Sequence, residues 1–155
     1  MPLHAKVLTV SQQADRGERV DLSGPAVVEL LTLHRFTVVA HEVVGDGIEP
    51  VARALLRMAT GFSGLVVTTG GTGFAPSDLT PEATGSVIER EAPGIAEAMR
   101  RTHPLGPLSR GKAGVIGTAI VINLPGSPTG AAEHLGAVIE LLPHALELLA
   151  GGHPH

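Results

Sequence analysis

The chain has 155 residues, a formal net charge of −4, no cysteine and 2 % aromatic residues, all of them phenylalanine. Without cysteine, disulfide scaffolds, zinc–thiolate centres and iron–sulfur clusters are excluded. The negative charge argues against a nucleic-acid binder held by phosphate contacts, and three phenylalanines cannot build a platform for stacking bases.

Hydrophobic residues make up 43 %, enough for one aliphatic core, and the length fits a single domain over residues 1–155 in which the tail 151–155 (GGHPH) is expected to fray. No apolar run approaches the ~18 residues of a membrane span, and no basic-then-apolar leader precedes Val7. The expectation is a soluble, cytoplasmic protein with no membrane or nucleic-acid partner. The 20 glycines and 12 prolines need a use.

Taken in chain order, β-branched runs of strand length stand at Lys6–Val10, Thr37–Val44, Leu65–Thr69 and Ala119–Leu124, each bounded by turn formers. Between them lie segments with helical spacing. Ser23–His34 sets Val27, Leu30, Leu31 and His34 on one face, and Ile48–Met58 does so with Val51, Leu55 and Met58. Thr80–Met99 reads as a helix broken at Pro93-Gly94, and Pro128–Leu149 as a helix interrupted at Pro143. Ala113–Val121 reads as one strand or as two short ones joined at Gly117-Thr118, the second option giving an antiparallel edge pair. This alternation predicts an α/β fold, a three-layer sandwich with a mostly parallel central sheet and helices on both faces. Such sheets bind ligands where the loops gather at the carboxyl ends of the strands.

Two loops fit that position. Thr68–Thr84 (TTGGTGFAPSDLTPEAT) runs from a strand end into a helix start, with Thr80 as N-cap, Pro81 at the first helical position and Glu82 near the positive end of the dipole. Gly70, Gly71 and Gly73 leave backbone N–H groups open to an anion, and Thr69 and Thr72 add hydroxyls. A lone glycine loop reads equally well as a tight turn. The second loop, Asn123–Thr129 (NLPGSPT), repeats the arrangement with Ser127 as cap, Pro128 at the first helical position and Gly126 allowing close approach. Together the loops point to a ligand with more than one anionic group. Neither is a P-loop or a dinucleotide fingerprint.

Asp78 lies in the first loop, Glu82 one turn on, and Asp46 follows the second strand. Carboxylates beside phosphate nests hold Mg²⁺. A helix cap for Asp78 and a turn residue for Asp46 are the competing structural roles. Arg110 and Lys112, then Arg16 and Arg19, are the basic groups available to phosphate. The eight histidines are poorly spaced for a metal, with no pair at i, i+4 around an acid.

The segments LTVSQQADRGERVDLSG, TTGGTGFAPSDLTPEAT and LSRGKAGVIGTAIVINLPGSP, in this order and spacing, resemble the molybdopterin adenylyltransferase family, related to the G domain of gephyrin, from about Lys6 to Leu149. The resemblance implies a three-layer α/β fold and transfer of adenylate from ATP, with Mg²⁺, to the terminal phosphate of molybdopterin. It implies Asp78 and Asp46 as catalytic acids, and these with Glu82 as metal ligands. Thr69, Gly70, Gly71, Thr72 and Gly73 would line the active site. Ser109 and Arg110 would lie near the pterin, and Pro125, Gly126 and Ser127 near the nucleotide. A homotrimer or hexamer and a downstream molybdenum-insertion protein also follow from it. The chain departs from the family where Gln12 and Gln13 follow Ser11 in place of Asp-Arg, and where Ser77 replaces Arg. A pterin-binding paralogue with little catalysis is therefore the alternative expectation.

Overall fold

The computed structural model describes residues 2–152. Its centre is a six-stranded sheet in the order β2 (Phe36–Val44), β1 (Leu3–Val10), β3 (Gly64–Thr69), β6 (Ala119–Leu124), β5 (Ala113–Ile116), β4 (Arg90–Glu91). Strands β1, β2, β3 and β6 are mutually parallel. Strand β5 and the two-residue β4 add an antiparallel edge, β5 and β6 turning at Gly117-Thr118. The mostly parallel sheet and its antiparallel edge pair are thus as expected.

Period-two alternation divides the core between the two sheet faces. On β3, Leu65 and Val67 join one cluster and Val66 the other. On β6, Ile120, Ile122 and Leu124 take the first face, Ala119 and Val121 the second. The four-residue α1 (Gln12–Asp15) follows β1, and the first face is covered by α2 (Ser23–Leu33), α5 (Pro93–Arg100), α6 (Pro128–Val138) and α7 (Leu142–Leu149), which bury Leu31, Met99, Leu135 and Leu142. The second is covered by α3 (Ile48–Ala59) and α4 (Thr80–Val87), whose Val51, Leu55, Met58 and Ala83 are buried. Each large aliphatic side chain so buried contributes about 1.5–3 kcal/mol. Helices therefore lie on both faces. No helix among the described residues is long and apolar enough to cross a membrane.

Several boundaries differ from expectation. The helix expected over Thr80–Met99 is two helices, and the break falls at 88–92 rather than at Pro93-Gly94. There the backbone is taken into the sheet, Glu89 N–H donating to Val115 O (2.8 Å) and Ala92 N–H to Ala113 O (2.8 Å). Pro93 starts α5, where its missing N–H costs nothing. Pro143 likewise sits in the first turn of α7, and the interruption lies at 139–141. His34 is exposed at the end of α2 instead of sharing its buried face. At the end of α7, Gly151 and Gly152 N–H groups donate to Leu148 O and Glu147 O. Residues 153–155 of the tail lie outside the described residues.

Chain direction sets the site. From β1 the chain passes to β2 on one side, then crosses to β3 on the other, so the strand order reverses between β1 and β3. A crevice opens at the carboxyl ends of strands that diverge in this way.

Candidate active site

At that edge Val10, Thr69 and Leu124 end three adjacent strands, and the two glycine loops meet just beyond them. Gly70 N–H donates to Leu124 O (3.0 Å), and the Thr69 hydroxyl to Pro125 O (2.7 Å). Gly70 and Gly71 take φ of 105° and 70°. A Cβ would lie 2.2 Å from Val10 O at Gly70 and 2.3 Å from Thr80 Oγ1 at Gly71, so only glycine fits. The loops lie close: a Cβ on Gly126 would sit 3.3 Å from Gly70 Cα.

The first loop is braced from two sides. The Thr80 hydroxyl donates to Gly70 O (2.9 Å), and Thr80 N–H to Gly71 O (3.0 Å). Thr80 is therefore not the side-chain cap expected of it; its hydroxyl ties the loop to the start of α4. Arg110 supplies the second brace. Its N–H donates to Thr72 O, its Nε to Gly73 O (2.8 Å) and its Nη2 to Asp78 O (2.7 Å). With their carbonyls held, Gly71, Thr72 and Gly73 keep N–H groups that no described residue accepts from. Such open N–H groups are what an anion nest requires. In the second loop Ser127 caps α6 as expected, its Oγ accepting from Gly130 N–H (3.0 Å).

Two cavities flank this junction, and Gly71, Asp78, Gly126 and Ser127 belong to both. One, about 500 Å³, is walled by Leu105, Leu108, Ser109 and His134 together with Thr72 and Gly73. The other, about 600 Å³, lies over the ends of β1 and β3 and is lined by Asp21, Asp46, Arg19, Gln12 and Ser77. The site is thus a cleft of an aliphatic and an acidic lobe, divided by a glycine ridge that carries Asp78.

Asp46 and Asp78 converge as expected. Burial, and after it the negative charge of Asp78, raise the Asp46 carboxyl above its usual 3.8, against a backbone hydrogen bond from Gln12. Asp46 N–H in turn donates to Gln12 Oε1 (3.1 Å), so Gln12 positions the acid. Asp78 Oδ2 accepts from Ala75 N–H (3.0 Å) and closes the loop on itself. Two repelling carboxylates beside open N–H groups are a donor set suited to a hard divalent cation that also takes phosphate oxygens.

Glu82 and Arg110 are placed otherwise than expected. Glu82 gives both oxygens to Arg110 (2.7 and 3.1 Å), which holds its carboxyl below the usual 4.5 and raises the guanidinium. Neither lines a lobe. No set of three or more acids and histidines able to hold a metal occurs among the described residues, so Glu82 does not complete a trio with Asp46 and Asp78. Lys112 pairs with Glu91 (3.2 Å). Of the basic candidates, Arg19 alone lines the acidic lobe.

Two groups escaped sequence reasoning. Asp21 accepts from the Thr9 hydroxyl (2.7 Å) and Gly24 N–H (2.9 Å) and lies 3.2 Å from His41 Nε2, fastening the start of α2 to β1 and β2. Its place just before Ser23-Gly24 at a helix start was the available signal. His134 and Glu133, on α6, line the aliphatic lobe; their helical spacing gives no hint of a cavity.

The sequence model of the family described as "Probable molybdopterin binding domain" matches residues 6–144. A molybdopterin adenylyltransferase of Helicobacter pylori is 38 % identical over 158 residues, spanning 97 % of this chain and 90 % of that protein. Gephyrin of Dictyostelium discoideum is 35 % identical over 159 residues, 92 % of this chain and 22 % of that one. The crystal structure of the molybdopterin biosynthesis enzyme MoaB of Thermus thermophilus superposes with a TM-score of 0.90 at 46 % identity, over 96 % of this chain and 97 % of that one.

Proposed function

The chain belongs to the molybdopterin-binding domain family, and from that premise we propose that its two-lobed cleft transfers adenylate from ATP to the terminal phosphate of molybdopterin. The product is adenylylated molybdopterin, with pyrophosphate released, as a step of molybdenum cofactor biosynthesis. The observation that carries the reading is the shared ridge. Two substrates held in separate lobes can meet only across Gly71, Asp78, Gly126 and Ser127, which belong to both.

The lobes differ in the chemistry they suit. The acidic lobe, with Asp46 and Asp78, suits a metal-bound triphosphate; the aliphatic lobe suits a flat bicyclic ring. The attacking phosphate monoester is largely ionised near neutral pH, its second pKa being about 6. Its oxygen bonds to the α-phosphorus as the bond to pyrophosphate breaks, and no base has to take a proton. What the chain must supply is alignment and neutralisation. The open N–H groups of Gly71, Thr72 and Gly73, and the N-terminus of α6 at Ser127, present positive partial charge to phosphate oxygens. Arg110 acts through the loop it braces. Asp46 and Asp78 would hold Mg²⁺, which when bound supplies charge neutralisation to the phosphates. Cytoplasmic location, assembly as a homotrimer or hexamer and delivery to a molybdenum-insertion protein belong to the same reading.

The test is pyrophosphate release from ATP and Mg²⁺ on adding molybdopterin. One pyrophosphate per pterin adenylylated is expected, and chelation of the metal should stop it. A chain that binds pterin and releases none is a binding paralogue. Sedimentation measures the assembly.

A further inference from the structure

His134 is 4 % exposed, yet it lines the aliphatic lobe. No described residue makes a hydrogen bond to its ring. Among the described residues, every side-chain nitrogen or oxygen that is wholly shut off from solvent has a partner. The ring nitrogens of His134 have none, so they reach the cavity. A nearly buried polar group left without a protein partner beside Leu105 and Leu108 in this cavity is completed when a ligand fills it.

The protonation state narrows that ligand. The groups that act on the ring are Glu133 beside it on α6, Arg100 at the end of α5 and His103 just beyond. Burial, with the positive charge of Arg100 and His103 acting the same way, lowers the imidazole below its usual 6.5 against the pull of Glu133, and so favours the neutral ring. A neutral imidazole offers one N–H donor and one bare nitrogen acceptor. It is poorly suited to a phosphate or carboxylate, which calls for a cation. It suits the edge of an uncharged heteroaromatic ring, where donors and acceptors alternate, with Leu105 and Leu108 supplying apolar surface.

We propose that His134 is the specificity-determining contact for the ring of the pterin substrate, a ring nitrogen hydrogen-bonding the pterin's polar edge at the floor of the aliphatic lobe. The proposal rests on the adenylyltransferase reading and names what that reading leaves open: which side chain tells a pterin from another flat ring.

The test compares the full chain with His134→Leu, which keeps bulk and loses both polar atoms, and His134→Gln, which keeps a donor and an acceptor. Binding of molybdopterin, followed anaerobically by pterin fluorescence, should weaken about 10- to 100-fold in the leucine variant, the loss of one or two buried hydrogen bonds. ATP binding should stay within about twofold, and glutamine should recover most of the loss. His134→Met gives a second apolar replacement should leucine not fold. Wild-type pterin affinity in a folded apolar variant overturns the proposal. So does an equal loss for ATP and pterin with a lowered melting temperature, which marks a packing role. A wild-type chain that binds pterin but releases no pyrophosphate overturns the adenylyltransferase reading and leaves the His134 comparison standing.

Discussion

Arg110 meets Glu82 fork to fork, Nη1 2.7 Å from Oε2 and Nη2 3.1 Å from Oε1, while the same guanidinium donates to the Gly73 and Asp78 carbonyls. The arginine is spent on loop geometry, and the glutamate on orienting the arginine. Glu82→Gln should therefore leave the Mg²⁺ concentration for half-maximal transfer within about twofold, since metal ligation is not its task. A tenfold rise would make Glu82 a ligand after all.

The same pair sets an acid limit. The Glu82 carboxyl is held below its usual 4.5 in the folded chain, so its stabilisation is present above that value and lost as pH falls through the lower, folded one. The pair is partly exposed and its worth is correspondingly modest. Urea titrations between pH 3 and 7 should show wild type and Glu82→Gln converging at the acid end and separating toward neutrality. Parallel curves at all pH values would contradict this.

Asp46 carries the opposite sign. Its folded pKa is raised by burial and by Asp78, so its ionised form strains the fold above that pKa and the strain is absent below the unfolded value of 3.8. Asp46→Asn should melt about 1–4 °C higher at pH 7 and lose the advantage as pH falls below about 4. Transfer should drop by about 10²–10³. A variant that melts lower, or turns over unchanged, refutes the pairing with Asp78.

Gly71→Ala forces a Cβ to 2.3 Å from Thr80 Oγ1 at a φ of 70°. Denaturant unfolding should record a loss of about 1–3 kcal/mol. Breaking the Thr80 tie to Gly70 by Thr80→Val should slow transfer more than it costs stability, because the loop then loses its brace and the core loses little. Equal effects on the two would make the tie purely structural.

Asn123 is wholly buried with both amide hydrogens and its oxygen engaged: Nδ2 donates to Thr68 Oγ1 (3.0 Å) and Thr84 Oγ1 (2.9 Å), and Oδ1 accepts from Lys112 N–H (2.9 Å). Asn123→Leu leaves those partners unpaired and should cost about 2–4 kcal/mol by chemical denaturation. Asn123→Asp should be no milder, since it buries a charge.

The β-branched runs made the four parallel strands legible, and the glycines with their following Thr-Pro and Ser-Pro pairs marked the two loops. Both are local signals, written in adjacent residues. What stayed hidden depended on parts that return from afar. Arg110 looked like a phosphate ligand because nothing in LSRGKAG says that Glu82 and the Gly73 carbonyl wait for it. His134 shares the helical spacing of Ala131, Leu135 and Val138, and spacing alone does not separate a core position from a cavity floor. In the sequence Pro93-Gly94 reads as the break between α4 and α5. Pro93 instead starts α5, and the residue before a proline disfavours helix, which was the clue that 88–92 is extended.

Gly126 lies so near Gly70 that a Cβ on it would meet the Gly70 Cα, and beside them Gly70 N–H donates to Leu124 O and the Thr69 hydroxyl to Pro125 O. The separation of the lobes is therefore a gauge cut largely into the main chain, with the Thr69 hydroxyl helping to hold it. On the proposed function, either wall could be redecorated, one to hold a different ring and the other a different phosphate chain, while the spacing of the two lobes stays as the backbone sets it. A designer seeking a new donor–acceptor pair would keep the two glycines and rewrite what faces outward from them.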